Sequence, residues 1–463
     1  MIDLRSRAWL KWVAVILGLV LIAAACGDDD SSDEGAATED AADDAAADDE
    51  AEADDGAEAD DDGDGDAPAD DRPFEGVTLR FAKAPHGEDE QDNFAEWLAP
   101  FEEETGITVE HTVVPWDELE ATYTANFAGN DVFDVTYQTS THLTLFGELG
   151  AFNDATALID GSDFTEDRSH FPDSIVNASV YKDQLYGVPF IIGTIVMFAN
   201  LDLMAEAGVT DIPTTGEELV AAAQAIQSPP DVWGFYTPTT VSDFGWYFNL
   251  QNVHNFGGDI ISDDFETVTI DSQPVQDATN YAVDLICTDG VQPPLGQYDR
   301  EGAIELFKGG KLAFLLDEPL RVAVFEEEGL PFEWDIAQPV GNAGNISQFS
   351  TTGHWVISSK SENPEAAWEL VKFLSSPEFS QTYNERYAFV PARDDVDVTG
   401  GNEKLARNFD WAMTTWDGLV THPQINGLLD EYVKALEAAT TCDTPTAEAL
   451  AEAQSRAEDL IGG

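Results

Sequence analysis

The sequence predicts an α/β protein whose folded part consists of two lobes, and three observations lead to that prediction. Predicted strands and helices alternate along the chain from Val77 onward, which is typical of sheets covered by helices. Residues 132–138 (VFDVTYQ) have the composition of a strand that a parallel sheet buries on both faces. About 390 residues follow Pro73, which is more than a single compact core usually holds and enough for two.

The first elements of this folded part alternate regularly. Residues 77–82 (VTLRFA) place apolar side chains at every second position, as a strand does. Residues 90–104 predict a helix, residues 107–114 a second strand and residues 116–129 a second helix. The apolar face of the first helix consists of Phe94, Trp97, Leu98 and Phe101.

Three later helices carry start signals. Thr215 and Glu218 have the spacing of a capping box ahead of an apolar run. The dipeptides at 363–364 (Asn-Pro) and 444–445 (Thr-Pro) fit the cap and first turn of two further helices. These signals predict the starts of three helices in the later part of the chain.

Residues 1–25 have the pattern of a lipoprotein signal peptide. Basic residues precede an apolar run at 12–25, which is shorter than the roughly 20 residues that a membrane span needs. Three alanines lead into Cys26, and this arrangement resembles a bacterial lipobox. The resemblance implies cleavage before Cys26 and a diacylglycerol on its sulfur, which would anchor the exported chain to the outer face of the cytoplasmic membrane. An ordinary secretory signal and an uncleaved anchor are the alternatives.

Residues 26–72 follow as the predicted lipidated cysteine and a disordered linker rich in Asp, Glu and Ala. The linker contains no aromatic residue and no Val, Ile or Leu, so it cannot bury a core. Its like charges favour an extended stalk. The DGDGD run at 62–66 lacks the spacing and the distal glutamate of a calcium loop.

The charge of the chain excludes one class of partner. The formal net charge is −71, and about −51 of it falls after the linker by our count of the same sequence. A field of this sign repels nucleic acids and other polyanions, so no nucleic-acid partner is expected. Salt screens such a field, so the acidity is compatible with a saline habitat.

Two cysteines remain beyond the signal peptide, Cys287 and Cys442. A lone pair of cysteines in an exported protein commonly forms a disulfide, and we expect that here. Two buried free thiols are the alternative. Neither cysteine has the spacing or the neighbouring histidines of a zinc site.

The sequence shows no catalytic, cofactor or metal motif. It lacks a GxSxG elbow, an HExxH helix and a phosphate loop, and its seven histidines are scattered. Asp317 and Glu318 are the nearest approach to a catalytic pair. Adjacent side chains usually point apart, whereas a glycosidase holds its two carboxyl groups on opposite sides of the scissile bond. We therefore expect neither an enzyme nor a cofactor.

Several ordered segments resemble extracellular solute-binding protein family 1, the maltose-binding-like receptors of ABC importers. The resemblance covers roughly residues 77 to 460 and rests on the order and spacing of modest matches. These segments are DQLYGVPFIIGTIVMFANLDLMAEAGVTDIPTTGEELVAAAQAI (183–226), NFGGDIISDD (255–264), AIELFKGGKLAFLLDEP (303–319), TTGHWVISSKSENPEAAWELVKFLSSPE (351–378) and FVPARDDV (389–396). Two positions depart from the family pattern: Ala199 stands where a tyrosine is frequent, and Leu320 stands where a stacking tryptophan is usual.

The resemblance implies a two-lobed periplasmic-binding-protein fold of the Venus-flytrap type, with two sheets flanked by helices and a hinge of crossing strands. It places the first crossing near 188–193, the return near 352–357 and a further crossing near 400–408. The implied segments are 73–189 for the first part of the N-lobe, 190–351 for the first part of the C-lobe, 352–403 for the N-lobe return and 404–463 for the C-terminal helices of the C-lobe.

Residue types that grip sugars identify candidate ligand contacts, because aromatic faces stack on sugar rings and polar side chains bind hydroxyl groups. Some candidates follow predicted strands, where open sheets bind ligands. Others lie where the family implies the cleft. The candidates are Lys83, His86, Gln138, Thr139, Ser140, Trp246, Tyr247, Glu318, Arg321, Gly353, His354 and Trp355. Trp116 is either a lid or part of the core.

The function that the resemblance implies is capture of an extracellular small molecule, with a mono- or oligosaccharide expected, and its delivery to the permease subunits of an ABC transporter. The chain is expected to act as a monomer without performing chemistry. A polyol, a glycerol phosphodiester or a polyamine is an alternative ligand for the same fold. A cell-surface glycoside hydrolase and a sensory receptor are alternatives from other classes.

Overall fold

The computed structural model describes residues 72–130, 132–160, 164–262, 265–340, 348–396, 402–419 and 422–462. The predicted signal peptide, Cys26 and the linker up to residue 71 lie outside the described residues. The described residues fall within one unit, Pro68–Gly463.

Two sheets and a short hairpin contain the strands of this unit. The strands are β1 (Thr78–Lys83), β2 (Thr108–Val113), β3 (Val135–Thr139), β4 (Val180–Tyr181), β5 (Gln184–Leu185), β6 (Gly187–Gly193), β7 (Val196–Asn200), β8 (Trp233–Tyr236), β9 (Leu312–Asp317), β10 (Trp334–Ala337), β11 (Gln348–Ile357), β12 (Val390–Pro391) and β13 (Trp416–Gly418).

Helices cover both sheets. They are α1 (Glu90–Thr105), α2 (Leu119–Ala128), α3 (Ser140–Glu148), α4 (Ala155–Asp160), α5 (Phe164–Asp167), α6 (Asp173–Asn177), α7 (Leu201–Glu206), α8 (Gly216–Ile226), α9 (Gly245–Asn255), α10 (Gln273–Cys287), α11 (Arg300–Lys308), α12 (Leu320–Glu328), α13 (Pro364–Leu374), α14 (Pro377–Tyr387), α15 (Glu403–Thr415), α16 (Ile425–Thr440) and α17 (Thr446–Ile461), with 3₁₀ turns at Trp116–Glu118 and Arg168–His170. None of the described helices has the length and apolar character that crossing a membrane requires.

The larger sheet forms the centre of the N-lobe. It has seven strands in the order β12-β6-β11-β3-β1-β2, with β13 paired to β11. β1 is parallel to β2 and β3, whereas β11 is antiparallel to β3 and β6. The apolar run that predicted a strand at 132–138 corresponds to β3, which lies between β11 and β1. The sheet around β3 is therefore mixed rather than purely parallel.

The smaller sheet forms the centre of the C-lobe. It has four strands in the order β10-β7-β9-β8. β7 is antiparallel to β9 and β10, and β8 is parallel to β9. α16 and α17 pack against the same lobe through Leu428, Leu429 and Leu450, which belong to its buried cluster.

The chain passes between the two sheets over short connections. β6 pairs with β11 up to Gly193, and β7 enters the other sheet at Val196. The first change of sheet thus comes a few residues after the expected boundary at 189–190, because β6 continues its ladder through Gly193. α15 packs on both lobes, since Ala412 belongs to the N-lobe cluster and Trp411 contacts a C-lobe cluster.

Two helix starts match their sequence signals and a third differs by one position. The Thr215 hydroxyl accepts the Glu218 N–H and the Glu218 carboxylate accepts the Thr215 N–H, so the capping box is present. α13 begins at Pro364 after Asn363. α17 begins at Thr446, one residue after the predicted first-turn proline.

A disulfide joins Cys287 at the end of α10 to Cys442 in the turn between α16 and α17. The two Cα atoms are 5.7 Å apart and the cysteines are separated by 155 residues in sequence. The bond ties three helices of the C-lobe together at one end.

Candidate functional site

A cleft of about 1370 Å³ lies between the two lobes. Residues at the carboxyl ends of strands from both sheets line it: His86 follows β1, Thr139 ends β3 and Glu318 follows β9. Open α/β sheets commonly bind ligands at this edge, and an interlobe cleft is the usual site for a small molecule. The fold therefore places one candidate site where both sheets end.

Aromatic side chains form the N-lobe wall of the cleft. The ring of His86 lies 5.5 Å from that of Trp116 in a stacked arrangement and 4.4 Å from that of Phe389. The indole N–H of Trp116 donates to the carbonyl of Pro85 at 2.7 Å, which fixes the indole beside the loop after β1. Trp116 is thus part of the cleft wall rather than of the core alone.

The C-lobe wall begins with an aromatic run at the start of α9. Phe244, Trp246 and Tyr247 all line the cleft. Phe244 has a φ of 57° and is 46% exposed, although a bulky residue rarely adopts a left-handed backbone. Residues with such backbone strain concentrate at functional sites. The left-handed conformation of Phe244 occurs at a residue whose side chain lines the cleft.

Two glycines allow close packing at the floor. A methyl group on Gly193 would lie 3.2 Å from the Tyr247 hydroxyl and 3.1 Å from the Thr351 hydroxyl. A methyl group on Gly353 would lie 2.4 Å from the Tyr137 ring. At position 353 a larger residue would displace the Tyr137 ring, whereas at position 193 it would press on the hydroxyl groups of Tyr247 and Thr351.

Nine carboxylates and three arginines line the cleft, so the lining is acidic, and some of these carboxylates pair with the arginines. Arg300 donates to the buried Asp317 carboxylate at 2.5 and 3.2 Å and to Glu318 at 2.8 Å. Arg321 donates to Glu301 at 2.8 Å. These pairs neutralise much of the local charge on the C-lobe side.

The two histidines of the cleft are neutral at physiological pH. Burial lowers the pKa of His142 to about 4. Burial and the neighbouring Lys83 ammonium hold the pKa of His86 well below its ordinary value. Both imidazoles can therefore serve as neutral hydrogen-bonding groups.

Seven of the candidate residues from the sequence line the cleft. They are His86, Thr139, Trp246, Tyr247, Glu318, Arg321 and Gly353. They come from both lobes, and the fold brings them to one cavity although nearly 270 residues separate the first from the last.

Two further candidates, Lys83 and Gln138, lie in the N-lobe interior. Lys83 is buried, and its ammonium is 2.5 Å from the carboxylate of Glu90. Gln138 is buried and donates to Thr136 at 2.8 Å. Lys83 is the last residue of β1 and Gln138 is one residue before the end of β3, and both side chains pack inside the lobe.

Ser140, His354 and Trp355 are also buried inside the N-lobe. Ser140 shares a hydrogen bond of 2.8 Å with the hydroxyl of Thr352. His354 lies opposite Gln138 in the β3–β11 ladder, and the Trp355 indole donates to a backbone carbonyl of α13 at 3.2 Å. These contacts support the strands behind the cleft, and Gly353 is the β11 residue of this group that faces it.

Several residues of the cleft were not among the candidates. They are Tyr137, Thr141, His142, Phe244, Arg300, Phe389, Asn426 and Asp430, together with Trp116, which the sequence left undecided. Thr141, His142 and Phe244 lie within two residues of a candidate, so extending each group of candidates by two residues would have included them. Arg300 and Asn426 follow no strand of the sheets and carry no sequence signal.

Among the described residues, His170, Asp394 and Asp395 form one group with metal-ligand geometry. The group is partly exposed and lies outside the cleft lining. Arg393 occupies both oxygens of Asp395, at 2.5 and 2.7 Å, so that carboxylate is already neutralised by a cation.

The fold is that of a two-lobed protein with a cavity between its lobes, at the place where such proteins commonly bind small molecules. The family model of the bacterial extracellular solute-binding protein matches residues 96–408. The chain therefore belongs to this family of extracellular binding proteins.

Individual relatives agree with this assignment. A putative binding protein from Brucella abortus is 25% identical over 68% of this chain and 76% of its own length. The maltodextrin-binding protein of Bacillus subtilis is 23% identical over 78% of this chain and 79% of its own length. An ABC substrate-binding protein of Listeria monocytogenes, solved with cycloalternan, superposes with a TM-score of 0.72 at 21% identity over 83% of this chain and 99% of its own.

Proposed function

We propose that this chain is a membrane-tethered receptor that captures a neutral mono- or oligosaccharide in the interlobe cleft and delivers it to the permease of an ABC importer without changing it chemically. Cys26 would carry the lipid anchor, and the acidic linker would give the binding domain reach. The observation that carries the proposal is the presence of aromatic side chains on both walls of the cleft. The lining also contains neutral polar groups and an excess of carboxylates, and both can bind sugar hydroxyl groups.

The chemistry of the walls suits a sugar. Trp116 on one lobe and Trp246 on the other offer flat apolar faces of the kind that pack on sugar rings. Thr139, Thr351 and His142 supply neutral donors and acceptors for hydroxyl groups. The names of two relatives, a maltodextrin-binding protein and a cycloalternan complex, point to the same ligand class.

The contacts of Asp317 and Glu318 argue against hydrolysis by this pair of carboxylates. Asp317 is buried and bound by Arg300 through both oxygens, so it is not available as a proton donor or nucleophile. Glu318 faces the cleft but accepts from the same arginine at 2.8 Å. A glycosidase requires two free carboxyl groups across the scissile bond, and this pair does not supply them.

A ligand screen on the full chain tests the proposal. The panel contains maltotriose, other neutral oligosaccharides, sorbitol, a glycerol phosphodiester and spermidine. Melting temperature and tryptophan fluorescence are followed, since a ligand at a hundredfold excess over Kd stabilises the fold by about 2.7 kcal/mol. We expect stabilisation by a neutral sugar that is recovered unchanged.

Two tryptophan variants give the screen its control. Trp246→Ala removes a cleft tryptophan, and we expect the sugar response to weaken at least tenfold. Trp334→Ala removes a tryptophan that packs under Lys404 on the C-lobe outside the cleft, and it should leave affinity unchanged. Stabilisation by spermidine or the phosphodiester alone would overturn the ligand class, and sugar cleavage would overturn the receptor function.

A further inference from the structure

The ring nitrogen Nδ1 of His86 lies between two hydrogen-bond donors. The Lys83 ammonium nitrogen is 3.3 Å from it. The Tyr383 hydroxyl, from α14, makes a close contact with the same nitrogen. A ring nitrogen that already carried a proton would face the ammonium with no lone pair to receive its N–H, although the phenol oxygen could then accept.

Two of the three N–H groups of the Lys83 ammonium already have hydrogen-bond partners. The ammonium donates to the Ala84 carbonyl at 2.7 Å and to Glu90 at 2.5 Å, and the third N–H is left for His86. An ammonium has three donors and no acceptor, so its contact with Nδ1 has one possible sense. Glu90 also accepts the backbone N–H of His86 at 2.8 Å, which fixes the loop that carries the ring.

The Tyr383 hydroxyl adds the second donor. Burial raises the pKa of Tyr383 well above its ordinary value, so the phenol keeps its proton. Within the described part of the chain, Nδ1 of His86 is the partner recorded for this hydroxyl. Because the Lys83 ammonium can only donate, it assigns Nδ1 the role of acceptor, and the phenol, which could donate or accept, is then left to donate to the same nitrogen.

We propose that Lys83 and Tyr383 fix His86 in the tautomer with its proton on Nε2, so that the cleft contains one neutral hydrogen-bond donor of set direction that requires an acceptor oxygen on the ligand. Lys83 acts here as a positioning residue, because it works through His86 and remains buried. The assignment of the His86 tautomer depends on the geometry alone, whereas its role in ligand choice rests on the proposed function.

The opposite edge of the ring is open to the cleft. His86 lines the cavity. Its Nε2 is not one of the fully buried side-chain nitrogens that lack a hydrogen-bond partner, so this nitrogen is accessible from the cleft. Trp116 and Phe389 hold the ring plane between them. A hydroxyl or ring oxygen of a sugar satisfies a donor at this point, whereas the ammonium of a polyamine would meet it donor to donor.

Nitrogen NMR of the full chain labelled with ¹⁵N-histidine tests the tautomer without any ligand. The His86 signals are identified by their loss in His86→Gln. We expect an unprotonated Nδ1 and a protonated Nε2. Signals of the opposite tautomer, or of an imidazolium at pH 7, would overturn the inference.

A variant tests the part that Lys83 plays. The titratable groups around His86 are Lys83 on β1, Glu90 on α1, Tyr137 on β3 and Tyr383 on α14. Lys83→Met removes a cation that lowers the pKa of His86. The pKa of His86 should therefore be higher in this variant than in the unmodified chain. If the pKa of His86 were the same in both chains, Lys83 would have a structural role only. If this variant does not fold, the tautomer measured in the unmodified chain still decides the inference.

Binding of maltotriose tests the role in ligand choice. His86→Gln keeps an N–H donor and should retain binding within about threefold, whereas His86→Leu lacks it and should lose at least tenfold. His170→Gln, a histidine outside the cleft, serves as the matched control. Equal losses for the first two variants would contradict the donor role. Failure of the unmodified chain to bind any neutral sugar would contradict the proposed function while the tautomer remains decided by NMR.

Discussion

Lys83 and Glu90 form a buried ion pair behind the cleft, with side chains 0% and 1% exposed. Burial lowers the pKa of Lys83 to about 8, although the carboxylate of Glu90 opposes that shift. The ammonium also lies 5.2 and 5.3 Å from the ring centres of Tyr137 and Tyr383. Such a pair tolerates the loss of both charges better than the loss of one, because a single remaining charge is buried without compensation.

A double-mutant cycle measures this coupling. We expect Lys83→Met and Glu90→Gln each to lower the free energy of unfolding by about 3–5 kcal/mol, and the double variant to lose clearly less than the sum. Urea unfolding at pH 7 is the measurement. Additive losses would show that the two side chains stabilise the fold independently.

Sequence reasoning placed Lys83 in the cleft because it follows the strand predicted at 77–82, in the same strand-to-helix loop as His86. In the folded chain, the carboxylate of Glu90 on the first turn of α1 accepts a hydrogen bond from the Lys83 ammonium, and this contact keeps the lysine inside the lobe. Nothing in the spacing of the two residues distinguishes a buried pair from two exposed charges. His86, three residues beyond Lys83, reaches the cleft because the chain has left the strand there.

At the scale of elements, the strands and helices that carry strong patterns were predictable. The alternation at 77–82 corresponds to β1, and the capping box marks the start of α8. The strand at β2 and the helix at α2 are also present, although the predicted helix begins with a 3₁₀ turn at Trp116–Glu118. Local periodicity and capping set these boundaries, so a single sequence contains them.

The antiparallel direction of β11 was not predictable from its composition. β11 follows the C-lobe in sequence yet pairs with β3 and β6 in the N-lobe. A buried strand has the same apolar composition in either direction, and its partner is chosen by tertiary packing. The resemblance to a family, rather than periodicity, indicated that the chain returns to the first lobe.

The disulfide gives a prediction at this scale. Replacing both Cys287 and Cys442 by alanine releases a closed loop of 155 residues, which the chain-entropy model values at about 5 kcal/mol. We expect a lower melting temperature and unchanged ligand affinity, because the bond lies at the far ends of α10 and α16 rather than in the cleft.

Dithiothreitol provides the control for that variant. The reductant should lower the melting temperature of the unmodified chain toward that of the double alanine variant and leave the variant itself unchanged. If the reductant destabilised both chains equally, the effect would not arise from this disulfide.

At the scale of the whole molecule, the site is made by two lobes whose residues are far apart in sequence. Trp246 and Tyr247 come from α9, His86 from the loop after β1, and Gly353 from β11. The residue types that bind sugars could be recognised along the chain, but which of them share a cavity depends on where the connections between the sheets run. Buried candidates such as Lys83 and Gln138 were therefore indistinguishable in sequence from cleft candidates such as Thr139.

The charge of the chain is a property of the same scale. A formal charge of −71 is spread over the linker and the folded part, whereas the cleft arginines are bound by carboxylates. The overall acidity therefore disfavours anionic ligands approaching from solution and does not by itself prevent capture of a neutral one.

Hydrogen exchange of the full chain, with and without the sugar found in the screen, tests most directly whether the ligand bridges the two lobes. We expect slower exchange at residues 85–91 and 139–142 of the N-lobe and at 244–248 of the C-lobe, with no change at 402–407, which line a separate cavity. Protection confined to one lobe, or centred on residues 402–407, would contradict capture in the interlobe cleft.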